Sequence, residues 1–113
     1  MGDVSMETIR ARIQSDAISW TTHVATRMIK RSIAPLDVLS VLRDGHIIEH
    51  YPEDYPFPSC LVFAIVDGRP IHVVCSIGDE QLYVITAYQP DAARWDSTFT
   101  KRIDTDNKEE DHE

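Results

Sequence analysis

The stretch HVATRMIKR, from His23 to Arg31, combines one imidazole with three cationic side chains. On a helical wheel the cations share the face of His23, opposite the apolar residues of the stretch. Guanidinium groups bind phosphate as a planar fork, and histidine exchanges a proton near neutral pH. Such a helix suits a phosphodiester, with Arg27 and Arg31 as phosphate ligands and His23 in proton transfer. The pattern equally fits the solvated side of an ordinary amphipathic helix.

A second histidine, His72, lies in the predicted strand IHVVCSI. Side chains alternate between the two faces of a strand, which places His72 opposite Ile71, Val73 and Cys75. There it is either presented for chemistry on a rigid strand or held as a structural histidine by a hydrogen-bond partner. Tyr88 ends the following predicted strand and reaches the same face as a hydroxyl donor, unless it is an ordinary edge aromatic.

The histidines and cysteines do not follow a metal-binding pattern. The sequence contains no HExxH or CxxC motif, and His46 and His50 share a face of their predicted strand about 13 Å apart. Cys60 and Cys75 are expected to be small buried hydrophobes. Neither a glycine-rich phosphate loop nor a GxSxG motif occurs, so nothing points to nucleotide hydrolysis or serine esterase chemistry. We expect no metal and no cofactor.

Composition and charge limit the function classes. A chain of 113 residues with 42% apolar and 27% charged residues is typical of one globular domain. No apolar run is long enough to cross a membrane, and no secretory signal is recognisable, which predicts a cytoplasmic protein. The net charge is −8, and residues 104–113 contain six acidic residues and one lysine. This acidic segment is expected to be a disordered tail, and the mildly acidic remainder does not exclude a local basic face.

Apolar spacing predicts three helices followed by four strands, and therefore an α+β domain over residues 1–103 with helices packed on a four-stranded antiparallel sheet. Trp95 is expected to fill the core rather than to stack on bases. The predicted helices run over about 5–15, 22–32 and 35–44, and the predicted strands over 46–51, 59–66, 71–77 and 81–88.

The blocks HVATRMIKRSI, VLSVLRDGHIIEHY, PSCLVF, RPIHVV and YVITAYQPD occur in this order between about Trp20 and Arg102. With these blocks in this order, the chain resembles a family of small prokaryotic proteins known as domain of unknown function number four-two-five-eight. Such proteins are suspected relatives of the RelE and MqsR messenger-RNA interferases, whose fold is a few N-terminal helices and a small antiparallel sheet. The resemblance implies a RelE-like arrangement, RNA as substrate and an antitoxin protein as partner.

The same resemblance implies metal-independent RNA cleavage, in which a 2′-hydroxyl attacks the adjacent phosphate. This reaction needs a base, an acid and a cation. His23 and His72 are the candidates for proton transfer, Arg27 and Arg31 for phosphate binding, and Tyr88 for an accessory catalytic donor.

Two other classes of function remain open. The protein is alternatively a non-enzymatic module that binds another protein, or a module that binds a small anion without reacting with it. A basic cleft that contains both His23 and His72 would favour the enzyme. An exposed apolar patch, with these residues scattered, would favour an interaction protein.

Overall fold

Two of the three helices begin at residues whose side chains cap backbone N–H groups, and the third begins with a proline. The computed structural model describes residues 4–103, and the predicted acidic tail, 104–113, lies outside the described residues. The Ser5 hydroxyl accepts a hydrogen bond from the Thr8 amide, and the Thr21 side chain accepts one from the Val24 amide. Helix α3 has a proline in its first turn. The helices are α1 (Met6–Gln14), α2 (Thr22–Lys30) and α3 (Pro35–Asp44).

The sheet has five strands and is mixed, so the expectation of four antiparallel strands is wrong. The strands are β1 (Ile18–Trp20), β2 (His46–Tyr51), β3 (Ser59–Val66), β4 (Arg69–Gly78) and β5 (Gln81–Tyr88). Their order is β1-β5-β4-β3-β2, with β1 parallel to β5 and the other pairs antiparallel. Three residues are too few to show a period of two, which is why the sequence pattern misses β1.

The helices pack against one face of the sheet, which we call the helical face. Every second residue of the central strands points into this core, including Val62 on β3 and Val73 on β4. Cys60 and Cys75 are directly opposite each other on these strands, and both are fully buried free thiols. The prediction that they act as buried hydrophobes is therefore confirmed.

The opposite face, which we call the second face, is covered by the chain that follows β5. We call residues 90–103 the covering segment. Its Trp95 is buried against Leu61 and Val74, and Phe99 packs beside them. Asp96 organises the turn between these two aromatic residues, because its carboxylate accepts hydrogen bonds from the Thr98 and Thr100 amides, among others. Trp95 fills a core, as predicted.

Two β-bulges change which residues share the second face. In β5, Val84 pairs with Cys75 and Thr86 pairs with Val74, which leaves Ile85 as the extra residue. In β2, Ile48 is the extra residue. Each residue after it therefore points to the face opposite the one that simple alternation predicts. The pairs that β2 forms with β3 around this bulge are His46 with Phe63, Glu49 with Leu61, His50 with Cys60, and Tyr51 with Ser59. The expectation that His46 and His50 share one face is therefore wrong.

Gly45 connects α3 to β2 where there is no room for a side chain. A Cβ atom there would lie 2.4 Å from the Phe63 carbonyl oxygen and 2.6 Å from that of Val41. Gly68, in the β3–β4 turn, has a positive φ of 80°, but a Cβ atom there would meet nothing within 4 Å. The two glycines are thus required for different reasons.

We expect Gly45→Ala to lower the free energy of unfolding by about 3 kcal/mol, because two backbone carbonyls have to move. Gly68→Ala should cost about 1 kcal/mol, from backbone strain alone. Urea denaturation of both variants measures the difference. Equal losses would contradict this account of Gly45.

Candidate functional site

His72 is completely buried in the middle of the second face, between strand β4 and the covering segment. Its Nε2 lies 2.8 Å from the Phe99 carbonyl oxygen, so Nε2 carries the proton and donates this hydrogen bond. In the neutral ring Nδ1 is then an acceptor, and it lies 3.4 Å from the Tyr88 hydroxyl. Both ring nitrogens are therefore engaged within the protein.

Aromatic rings surround the imidazole of His72. The ring of Trp95 meets it edge to face at a centroid distance of 4.5 Å, and those of Tyr88 and Phe63 lie at 5.3 Å and 5.7 Å. Burial in this apolar setting lowers the pKa of His72 from 6.5 to about 4, although the bond to Phe99 opposes the shift. At neutral pH the ring is uncharged, and it binds the covering segment to the sheet.

A charged pair lies beside His72 and was not predicted from the sequence. Arg102 of the covering segment donates to both carboxylate oxygens of Glu49, at 2.8 Å and 2.9 Å, and its guanidinium stacks over Trp95. The Tyr51 hydroxyl donates to the same carboxylate at 2.5 Å. Burial alone would raise the pKa of Glu49, but these hydrogen bonds outweigh it and hold the pKa below its ordinary value. The bulge in β2 is what brings Glu49 and Tyr51 to this face.

Arg31, just after α2, reaches around the edge of the sheet to β5. Its Nη1 donates to the Ala87 carbonyl at 2.9 Å and to the Thr86 hydroxyl at 3.4 Å. Within residues 4–103 its Nε and Nη2 groups make no hydrogen bond, so one side of the guanidinium fork faces outward. Tyr88 is next along β5, and burial raises the pKa of its hydroxyl to about 12. The structure thus brings Arg31, Tyr88 and His72 to one region.

His23 and Arg27 lie on α2, which packs Val24 and Met28 into the core of the helical face. The side chains of His23 and Lys30 are exposed, and α2 presents them away from that core. Because His72 is buried on the opposite face, the two histidines do not line a common cleft. The five predicted site residues are therefore divided between the second face and an outer surface of α2.

A different surface stands out beside α2. A groove with a volume of about 470 Å³ lies between α2, the start of α3 and the end of β1. Ile29, which lines the groove, is 79% exposed, and Leu36, which follows the lining residue Pro35 in the chain, is 74% exposed. The residues that line the groove are all apolar: Trp20, Ala25, Met28, Ile29, Ile33, Pro35 and Leu39.

Two further features bear on the class of protein. Among residues 4–103 no three His, Cys, Asp or Glu side chains are grouped so that they could hold a metal ion. In the same part of the chain, no helix combines the length and apolar character needed to span a bilayer.

Comparison with known protein families identifies a match over most of the domain. Residues 20–89, which are more than half of the chain, match the family model described as Domain of unknown function (DUF4258). Neither the curated proteins nor the solved structures include a match.

The lowered pKa of His72 predicts a loss of stability on acidification. Between pH 6.5 and about 4 the unfolded chain binds a proton at His72 that the folded chain does not, so the free energy of unfolding falls as the pH falls. The full effect is about 3 kcal/mol. Chemical denaturation across this pH range measures it. In the variant His72→Gln the side chain at this position cannot titrate, so the free energy of unfolding should depend less steeply on pH. An unchanged pH dependence would show that His72 is not the group responsible.

Proposed function

The chain belongs to the DUF4258 family, whose description names no activity, and from its surface we propose that the protein is a module that binds an amphipathic helix of another protein. The helix docks in the apolar groove between α2 and α3. The observation that carries the proposal is an all-apolar groove lined by Ile29, whose side chain is 79% exposed. Large aliphatic side chains grouped around a concave apolar surface are typical of a binding site.

The charge around α2 supports a partner helix with acidic residues. Helix α2 and the residue after it carry Arg27, Lys30 and Arg31, and no Asp or Glu occurs from residue 17 to residue 36. The first carboxylate beyond, Asp37, is paired with Arg69 at 2.9 Å. Residues 17–36 therefore carry only positive charge in a chain whose net charge is −8, and Lys30 directly follows the groove residue Ile29 in the chain. Complementary charges speed association and exclude wrong partners.

The shape of the groove favours a helix over a strand. A helix presents apolar anchors at every third or fourth position, which suits a trough between two other helices. A strand would have to pair with β1 at the edge of the sheet, which is only three residues long and offers few backbone groups. The partner is therefore a helix with a row of apolar anchors flanked by carboxylates.

A displayed library of amphipathic helices tests this proposal, with fixed apolar anchors and flanking positions that vary among Asp, Glu, Lys and Arg. We expect selected helices to be rich in Asp and Glu. Ile29→Asp should weaken their binding by about tenfold or more, because a buried isoleucine contributes about 1.5–3 kcal/mol. Ile65→Asp is the matched control, since Ile65 is also exposed but lies on β3, away from the groove.

Three outcomes would contradict the proposal. The first is that selected helices keep their affinity for Ile29→Asp, and the second is that basic flanks are selected instead of acidic ones. Sedimentation analysis supplies the third: if the wild-type protein self-associates and Ile29→Asp abolishes this, the groove binds a second copy rather than another protein.

A second candidate function, metal-independent cleavage of RNA, is favoured by the grouping of Arg31, Tyr88 and His72. For RNA cleavage, we propose that the outward side of the Arg31 guanidinium binds a phosphate of the RNA. When RNA binds, Tyr88 turns its single O–H from Nδ1 of His72 to the same phosphate, and its pKa of about 12 keeps the hydroxyl protonated. In the free protein His72 is buried and uncharged, and it positions Tyr88 through the contact of 3.4 Å.

In this second proposal, residues of α2 carry out the proton transfers. A 2′-hydroxyl loses its proton and attacks the adjacent phosphorus, and the 5′-oxygen leaves with a proton. His23, which is exposed, takes the proton of the 2′-hydroxyl and then gives it to the leaving 5′-oxygen, and Arg27 is a further phosphate ligand. A relationship to RelE and MqsR, an antitoxin partner and a cytoplasmic location belong to this proposal.

Induced expression in a bacterial host, followed by primer extension on total RNA, tests the second proposal. The wild-type protein should arrest growth and produce new RNA 5′ ends, and Tyr88→Phe should reduce them by about a hundredfold through loss of one donor. Tyr55→Phe removes an exposed hydroxyl from a different loop and serves as the control. Normal growth with intact RNA, or full cleavage by Tyr88→Phe, would exclude this function.

A further inference from the structure

A second cavity lies on the second face, at the opposite end of β5 from Tyr88, and neither proposal above involves it. Its volume is about 540 Å³. The loop from Pro52 to Pro58 forms one wall, and the ends of β4 and β5 form the other. The lining residues are Asp54, Tyr55, Pro56, Phe57, Ser76, Tyr83 and Ile85.

The aromatic wall of this cavity is held in place by close packing. The ring of Phe57 rests on Gly78, where a Cβ atom would lie only 2.4 Å from the ring. Phe57 also stacks on Tyr83, with the ring planes 7° apart and the centroids at 5.9 Å. Tyr55 stands at the rim and is 94% exposed. Three aromatic rings therefore surround or border one space.

The polar groups of the cavity are few and fixed. The Asp54 carboxylate accepts a hydrogen bond from the buried Ser59 hydroxyl, and the Asp54 amide donates to the Tyr51 carbonyl at 3.2 Å. Ser76 is only 5% exposed and lines the cavity, but its hydroxyl makes no hydrogen bond to any residue of the described chain. The cavity thus offers one anchored carboxylate and the hydroxyl of a nearly buried serine.

The charge around the cavity has a single sign. Residues 52–58 and 76–85 contain four carboxylates, from Glu53, Asp54, Asp79 and Glu80, and no lysine or arginine. A phosphate or carboxylate ligand would be repelled here. A cation would be attracted both by these carboxylates and by the negative faces of aromatic rings.

We propose that this cavity binds an organic cation, an alkylammonium or guanidinium group. The cation lies against the faces of Tyr83 and Tyr55 and is balanced by Asp54, and the Ser76 hydroxyl accepts a hydrogen bond where the cation carries an N–H group. Cages of aromatic rings beside a carboxylate recognise such cations because the rings replace water without competing for hydrogen bonds. The cation comes either from a free small molecule or from a lysine or arginine side chain of another protein.

Titration of the full-length protein, followed through backbone amide signals in NMR spectra, tests the proposal. The probes are tetramethylammonium and methylguanidinium, and tert-butanol is the neutral control of similar shape to tetramethylammonium. We expect saturable shifts at Ser76, Gly78 and Tyr83 with both cations and none with tert-butanol.

Two pairs of variants separate the contributions of the Tyr83 ring and of the Asp54 charge to cation binding. Tyr83→Phe keeps the ring and should bind as the wild type does, whereas Tyr83→Leu should bind about tenfold more weakly. Asp54→Asn removes one charge from the lining of the cavity and should weaken binding, whereas Asp67→Asn removes one charge from the β3–β4 turn and should not. Well-dispersed spectra establish that each variant is folded.

The peptide Gly-Arg-Gly identifies the source of the cation. Affinity equal to that of methylguanidinium supports a protein side chain, and binding of the free cations alone supports a small molecule. The proposal is overturned if tert-butanol binds equally well, if Tyr83→Leu keeps full affinity, if Asp67→Asn weakens binding as much as Asp54→Asn, or if no saturable shift occurs at the cavity. Because none of these residues belongs to the α2 groove or to the Tyr88 region, failure here leaves those proposals to their own tests.

Discussion

Three helices cover only one face of this five-stranded sheet, and the apolar side chains on the other face have to be buried by something else. The covering segment does this with Trp95 and Phe99. Two polar contacts fix its position: the bond from His72 to the Phe99 carbonyl and the bidentate pair of Arg102 with Glu49. These contacts exclude water from the centre of the second face. The environment of each ionisable group there follows from this arrangement.

The same arrangement decides how the candidate residues can act. A histidine whose ring nitrogens are both bonded, and whose pKa is about 4, is suited to orienting a neighbour rather than to exchanging protons with a substrate. The reachable groups are Tyr88 at the edge of β5 and Arg31, which is half-buried beside it. His23 lies apart from them, whereas the groove beside Ile29 is open to any partner. The candidate residues are therefore divided between two surfaces, and the exposed apolar groove lies apart from the His72 region.

The sequence carries enough information for the helices and four of the strands, because caps, apolar spacing and turn residues act locally. It also places His72 on the strand face opposite Ile71, Val73 and Cys75, since β4 alternates regularly at that point. Local patterns do not reveal the bulges, which depend on pairing with a neighbouring strand, and so Glu49 and Tyr51 could not be assigned to the site. The helical wheel of α2 shows an apolar side but not that Ile29 on that side stays uncovered. That depends on where α3 begins and how it packs.

The pairing of β1 with β5 has a consequence for how the chain acquires its structure. Ile18 pairs with Leu82, so most of the domain separates two residues that meet in the sheet. Contacts between such distant residues form late, because the intervening chain first has to be ordered. During synthesis from the N-terminus, β1 has no strand to pair with until β5 has been made. Trp20, at the end of β1, therefore joins the wall of the groove at a late stage of folding, and the groove is complete only on a fully synthesised domain.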